Sequence, residues 1–242
     1  GFGPLVAGFV RAPANDIEPI GHIAANNPDV VAFMAEPIQG EGGINELDNE
    51  YLQAVRAICN EHGWLMILDE VQTGKGRTGN WFAYQGMGFM PDVVTTAKGL
   101  GNGVPIGACM AHGEAAGVFG AGHHGSTYGG NPLVCSAALA VLDAIEGEAL
   151  LANVTRMGAL IRGLIEDQVG DSGRLVEIRG KGLMIGLQLD RDCPELVQTA
   201  LENGMLINVT AGNTIRLLPP LVINEAEATE LAEGVASLIL GL

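Results

Sequence analysis

Two stretches of this chain place reactive side chains at the ends of apolar runs. In Leu65-Met66-Ile67-Leu68-Asp69-Glu70-Val71-Gln72, four apolar residues lead into a carboxylate, and a buried strand presents its terminal side chains to a cleft. Side chains alternate along a strand, so a strand from Trp64 to about Val71 would put Asp69 and Val71 on one side, with Gln72 opening the turn. An acid beside an aliphatic side chain suits a flat heteroaromatic ring with a basic nitrogen. A solvated strand-end Asp would give the same pattern, and this stretch alone leaves both readings open. The second stretch, Pro91-Asp92-Val93-Val94-Thr95-Thr96-Ala97-Lys98, ends in a lysine followed by a glycine-rich loop. An amine partly withdrawn from water at a sheet mouth loses its proton more readily and becomes a nucleophile. An ordinary exposed lysine is the commoner state, and it is Asp69 on the preceding strand that favours the chemical reading.

Between these stretches lies Gly74-Lys75-Gly76-Arg77-Thr78-Gly79, a literal G-x-G-x-x-G. A dinucleotide fingerprint opens a helix directly after its strand. Here Trp81, Phe82 and further glycines follow without helical periodicity, so the segment reads as a turn and a nicotinamide site is rejected.

Short apolar runs alternating with helical patterns predict α/β architecture with a mostly parallel sheet flanked by helices. Strands are expected over 30–36, 64–71, 92–97 and 106–111. A helix capped by Asp48 and ended by Gly63 follows the first strand, its Leu52, Val55 and Cys59 on one face. A long Ala/Leu-rich helix should run from Asn131 to about Ile145. Beyond it, helices near 148–169, 193–203 and 225–240 enclose short strands near 174–178, 183–189, 205–209 and 214–218, an α+β unit of its own. A boundary is therefore set at residue 146, giving units 1–146 and 147–242.

Two more segments carry pattern: Met34-Ala35-Glu36-Pro37-Ile38-Gln39-Gly40-Glu41-Gly42-Gly43-Ile44, and His124-Gly125-Ser126-Thr127-Tyr128-Gly129-Gly130-Asn131-Pro132-Leu133. With the two strand-end stretches and Asn213–Leu221, they resemble, in order, the class III, ornithine-type aminotransferases of pyridoxal-phosphate (PLP) fold type I. The resemblance runs from Glu36 to Pro220. It implies that 1–146 is the C-terminal part of the PLP-binding large domain and 147–242 the small domain. It further implies that Lys98 carries PLP covalently through its amine and that Asp69 holds the pyridine nitrogen protonated, so that the ring accepts electrons. Val71 would pack on the ring and Gln72 reach its phenolic oxygen. Thr127, with Ser126 beside it on the substrate side, would meet the phosphate held by a neighbouring subunit, which implies a homodimer with shared sites. Arg216 would clamp a substrate α-carboxylate as a planar fork, and Glu41 would pair with Arg216 when that carboxylate is absent. Glu36 reads as structural.

By the same resemblance the reaction moves an amino group to 2-oxoglutarate, from N-acetylornithine or succinylornithine in preference. Ornithine, 4-aminobutyrate or diaminopelargonate transamination, glutamate-semialdehyde aminomutation, and an inactive assembly module are the alternatives. The family carries a large segment ahead of the equivalent of Gly1, so the chain is expected to be a fragment.

Composition narrows the partners. A formal charge of −16 over 242 residues argues against nucleic acid. No run reaches membrane-span length and no signal peptide opens the chain, which makes a reducing cytoplasm the expected setting. Cys59, Cys109, Cys135 and Cys193 are too scattered for a metal ribbon and read as buried small apolar residues. No metal is expected.

Overall fold

The structure, a computed structural model, describes residues 3–242. Its first sheet forms around β4 (Leu65–Asp69), whose alternation sends Met66 and Leu68 to one face, both fully buried. That face meets α2 (Asn49–His62), which buries Tyr51, Leu52, Val55 and Cys59 at helical spacing. Side chains of this kind each contribute roughly 1.5–3 kcal/mol when fully buried. Gly63 ends α2 in the left-handed conformation, φ 68°. Asp48 holds the N-cap position, but its side chain makes no capping bond, so the anticipated cap is positional only. The same core receives α1 (Ile17–Asn26) through Ile20.

Around β4 the strand order is β1-β4-β5-β6, with β1 (Ala32–Ala35) and β5 (Val93–Thr96) parallel to it. The edge strand β6 (Ala108–Ala111) is antiparallel and exposed at all four positions. A small antiparallel hairpin, β2 (Ile38–Gln39) and β3 (Asn45–Glu46), stands outside this sheet. The helix α3 (Pro132–Gly147) is N-capped by the Asn131 side chain, with Pro132 in its first turn. A break at Glu148-Ala149, with Ala149 at φ 53°, turns the chain into α4 (Leu150–Val169).

The second sheet is antiparallel throughout, in the order β7-β8-β10-β9: β7 (Leu175–Lys181), β8 (Met184–Leu189), β10 (Thr214–Leu217) and β9 (Asn208–Thr210). The helices α4 and α6 (Glu225–Leu240) pack with it into a core that includes fully buried Val154, Ile161, Ile165, Leu187 and Val235. A short α5 (Leu196–Glu202) closes one end, and α6 starts on a capping box between Asn224 and Glu227.

Several elements differ from expectation. The anticipated 64–71 strand stops at Asp69, because the chain turns immediately to bury Glu70. The 92–97 strand stops at Thr96, so Lys98 opens a 3-10 turn, Lys98–Leu100, instead of closing a strand. Strand 205–209 is displaced to Asn208–Thr210. Helix α1 and the β2–β3 hairpin were not anticipated; four strand residues and a glycine-rich loop give little periodicity to read. All four cysteines are free, but only Cys59 and Cys193 are buried. Cys135 is half-buried and Cys109, on the outer strand β6, is exposed. No helix among the described residues is long and apolar enough to cross a membrane, and none of their His, Cys, Asp and Glu side chains gather in threes as a metal site.

Candidate active site

Asp69 and Lys98 come together through strand register. Asp69 pairs with Thr95 across the parallel β4–β5 ladder, and Lys98 follows three residues later at the same end of the sheet. One Asp69 oxygen accepts from the Val71 amide at 2.9 Å, which fixes the carboxylate in a tight turn. Because the strand has ended, the Asp69–Val71 relation comes from this turn and not from strand alternation. Lys98 is exposed and sits at φ 48°, a left-handed conformation uncommon for a side-chain-bearing residue.

The neighbouring residues explain why the turn holds. Glu70, fully buried, points away from the cleft; its carboxylate accepts from the Thr73 hydroxyl at 2.6 Å and from the Ala83 and Tyr84 amides at 2.8 and 3.0 Å. Burial raises its carboxyl pKa, and these donors pull it back down. Lys75 is buried too. Its amine donates to the carbonyls of Glu70 and Val71 at 3.2 and 3.1 Å and to the Thr96 hydroxyl at 2.7 Å, tying the end of β4 to the end of β5. Desolvation lowers its pKa to about 8, against the attraction of Glu70. A lowered pKa alone would nominate Lys75 as the nucleophile. With three acceptors taken up in structural bonds it is a tie, whereas Lys98 stands open to the cleft. Sequence reading gave Glu70 and Lys75 no role; the available signal was a charge at Glu70 on the strand's core-facing side.

Val71, Gln72, Lys75 and Lys98 line one cavity of about 390 Å³ with Asn102 and, from the C-terminal unit, Leu218 and Pro220. Gln72 lies directly over Gly40: a Cβ there would stand 2.2 Å from its amide nitrogen. Gln72 also donates to Glu41 at 3.4 Å. Glu41 in turn accepts from Arg216 at 2.7 Å, and the same guanidinium nitrogen reaches the Gly40 carbonyl at 2.7 Å. The Arg216 bond is the first cause of a lowered Glu41 carboxyl pKa, and the Lys98 charge also reaches it. The Arg216 side chain is 11% exposed and Glu41 71%, so the arginine is fixed while the acid can swing. Glu36 accepts from the Gly40 amide at 3.0 Å and holds the loop's backbone.

Ser126 and Thr127 are not brought into this cleft. Both lie in an exposed stretch between β6 and α3, where Ser126 accepts only from the nearby Gly129 amide.

Two strand ends at the carboxyl edge of a mostly parallel sheet, with an arginine from a second α+β unit close by, stand in the architecture of PLP fold type I enzymes, as the solved structures it resembles show. The sequence profile described as aminotransferase class-III matches residues 1–239, and the chain belongs to that family. It is 49% identical over 239 residues to an acetylornithine aminotransferase 1 of Bordetella pertussis, covering 99% of this chain and 61% of that protein. It is 50% identical to an acetylornithine aminotransferase of Nitrosomonas europaea with the same coverage. Among solved structures it resembles an ornithine aminotransferase from Toxoplasma gondii ME49 (TM-score 0.93, 35% identity, 99% of this chain and 58% of that one). An acetylornithine aminotransferase from Elizabethkingia anophelis is similarly close (TM-score 0.90, 36% identity, 99% and 62%). The chain thus spans about 61% of the length of the curated relatives it matches.

Proposed function

We propose that this chain is the Lys98-bearing part of a PLP-dependent aminotransferase that takes the amino group of N-acetylornithine, or of the similar succinylornithine, and passes it to 2-oxoglutarate. The observation that carries the reading is the Arg216–Glu41 pair, linked through Gln72 to the cavity that Lys98 lines. The preference among donors rests on the acetylornithine aminotransferases at 49–50% identity.

The donor set fits PLP: an open primary amine and an amide side chain line one cavity, and an anchored carboxylate ends the strand that leads into it. Bound there, PLP would supply an electron sink for the carbon that loses its proton. Lys98 would hold the cofactor through its amine, and that amine would carry a proton to and from the substrate carbon. Asp69, locked by the Val71 amide, would hold the ring nitrogen. Arg216 receives an α-carboxylate with two parallel donors and Glu41 swings out to admit it. Ser126 and Thr127 are assigned to the site of a second copy, in a homodimer. Division at residue 146 into a large-domain part and a small domain belongs to the same reading, and the separate cores of the two sheets support it.

The likeness to ornithine aminotransferase structures supports a second reading, with ornithine as donor. Borohydride reduction of the PLP-loaded protein followed by peptide mapping tests the anchor. A pyridoxyl group on Lys98 is the expected result, and one on Lys75 would overturn the assignment. Turnover with N-acetylornithine against ornithine then decides the donor.

A further inference from the structure

The loop that carries Glu41 is fastened to the second sheet by contacts that take no part in the chemistry described above. Arg179, on β7, donates through one nitrogen to the Gly43 carbonyl at 2.8 Å and to the Thr214 hydroxyl at 3.3 Å, and Thr214 is two residues from Arg216 on β10. Glu46, on β3, accepts from the Gly180 amide at 2.7 Å and lies 3.6 Å from the Lys181 amine. Between these two ties Ile44 is fully buried. It fits a notch that exists because two residues lack side chains: a Cβ on Gly180 or Gly186 would come within 2.8 or 2.7 Å of Ile44. Ile44 itself sits at φ 55°, a strained conformation for a β-branched residue, which persists only where surroundings impose it. The loop therefore rides on the sheet that carries Arg216, although its sequence position lies among the elements of the other sheet.

We infer that Arg179, Glu46 and the Ile44 notch form a latch that positions Glu41 against Arg216, making them positioning residues that set the balance between the two half-reactions. With the latch closed, loop and arginine form one rigid piece and only the Glu41 side chain moves to admit a carboxylate. With it open, Glu41 loses its fixed starting point and competes less well for Arg216. The inference rests on the proposed role of Glu41 as occupant of Arg216.

The test compares Glu41→Gln, Arg179→Gln, Glu46→Ala and the double variant Glu41→Gln/Arg179→Gln in the PLP-loaded protein. Glu46→Ala covers the event that Arg179→Gln fails to fold. Two readouts are used: amide exchange at Ile44, whose N–H donates to the Gln39 carbonyl at 3.0 Å, and the ratio of 2-oxoglutarate affinity to donor affinity from calorimetry and half-reaction kinetics. Arg179→Gln and Glu46→Ala should speed Ile44 exchange about tenfold, the loss of roughly one charge-assisted bond. Both should shift the ratio in the same direction as Glu41→Gln does. The double variant should shift it no further than Glu41→Gln alone, because both changes remove one contact. A shift with Glu41→Gln but none with Arg179→Gln or Glu46→Ala overturns the latch and leaves the gate standing. Unchanged Ile44 exchange in both latch variants, or additive shifts in the double variant, also overturns it. No shift with Glu41→Gln removes the gate, and the latch with it.

Discussion

In the second sheet every residue of β8 but Gln188 is buried, and α4, α5 and α6 close its core. In the first sheet only the inner strands are enclosed. The edge strand β6 is exposed throughout, and Met34 on β1 is 54% exposed. The proposed site is unevenly placed across this difference. Asp69 ends one inner strand of the more open sheet and Lys98 follows the other, where Glu70 and Lys75 lock the backbone from beneath. Arg216 projects from the closed sheet onto a loop latched to that same sheet. Rigidity at each half of the site is thus local, built from hydrogen bonds to backbone groups in one half and from a complete apolar core in the other.

The comparison breaks first on core truncation. Ile161→Ala, in the closed core, should cost about 2–5 kcal/mol by urea unfolding; a cost below about 1 kcal/mol would mean the second core is loosely packed. Next is Glu70→Ala, which strands one hydroxyl and two backbone donors. It should lower stability by about 3 kcal/mol or more, with activity lost in step because the turn after Asp69 unravels. Loss of activity at unchanged stability would place Glu70 in the chemistry instead.

Lys75 sharpens the contrast through pH. The folded protein releases its proton near pH 8, while an unfolded chain keeps it to about 10.4. The unfolded state therefore binds more protons between these values, and stability should rise with pH across that window by roughly 2–3 kcal/mol relative to Lys75→Met. A flat difference would mean that the amine is not desolvated. The smallest effect belongs to Glu41. Its carboxyl pKa is depressed, so the Arg216 bond stabilises the fold above the ordinary carboxylate range and is lost as pH falls through the depressed value. Because Glu41 is mostly exposed, the Glu41→Gln difference should stay below about 0.5 kcal/mol.

Much of this was legible in the sequence. Alternation in Leu65–Asp69 and the helical faces of 49–62 and 150–169 follow from burial, which periodicity reports directly. The five ordered motifs carried the family. What periodicity could not show was the end of each strand. Asp69 and Thr96 end their strands because Glu70 and Lys75 find partners beneath the sheet, and the amides of Ala83 and Tyr84 and the hydroxyl of Thr96 among them lie 13 to 21 residues away in sequence. The hairpin of β2 and β3 escaped notice for a similar reason: Ile44 is shaped by glycines more than a hundred residues downstream. Asp48 shows the converse, a local pattern read correctly for position and wrongly for its bond.

The two glycines of the Ile44 notch do not constrain change equally. At Gly186 the nearest atoms a Cβ would meet are those of Ile44, the closest at 2.7 Å, whereas at Gly180 it would stand 2.0 Å from the Met184 carbonyl oxygen, with φ at 94°. Substitution at Gly180 is therefore closed whatever its neighbours become. Gly186→Ala, by contrast, is conditional, harmful against Ile44 and admissible once Ile44 has been replaced by glycine, which also accepts the left-handed backbone there. The order of events matters: Ile44→Gly first opens a void, and Gly186→Ala then fills it from the opposite wall. A route that places alanine at Gly186, by drift or in a designed library, therefore has to bring the smaller residue to position 44 of the loop first.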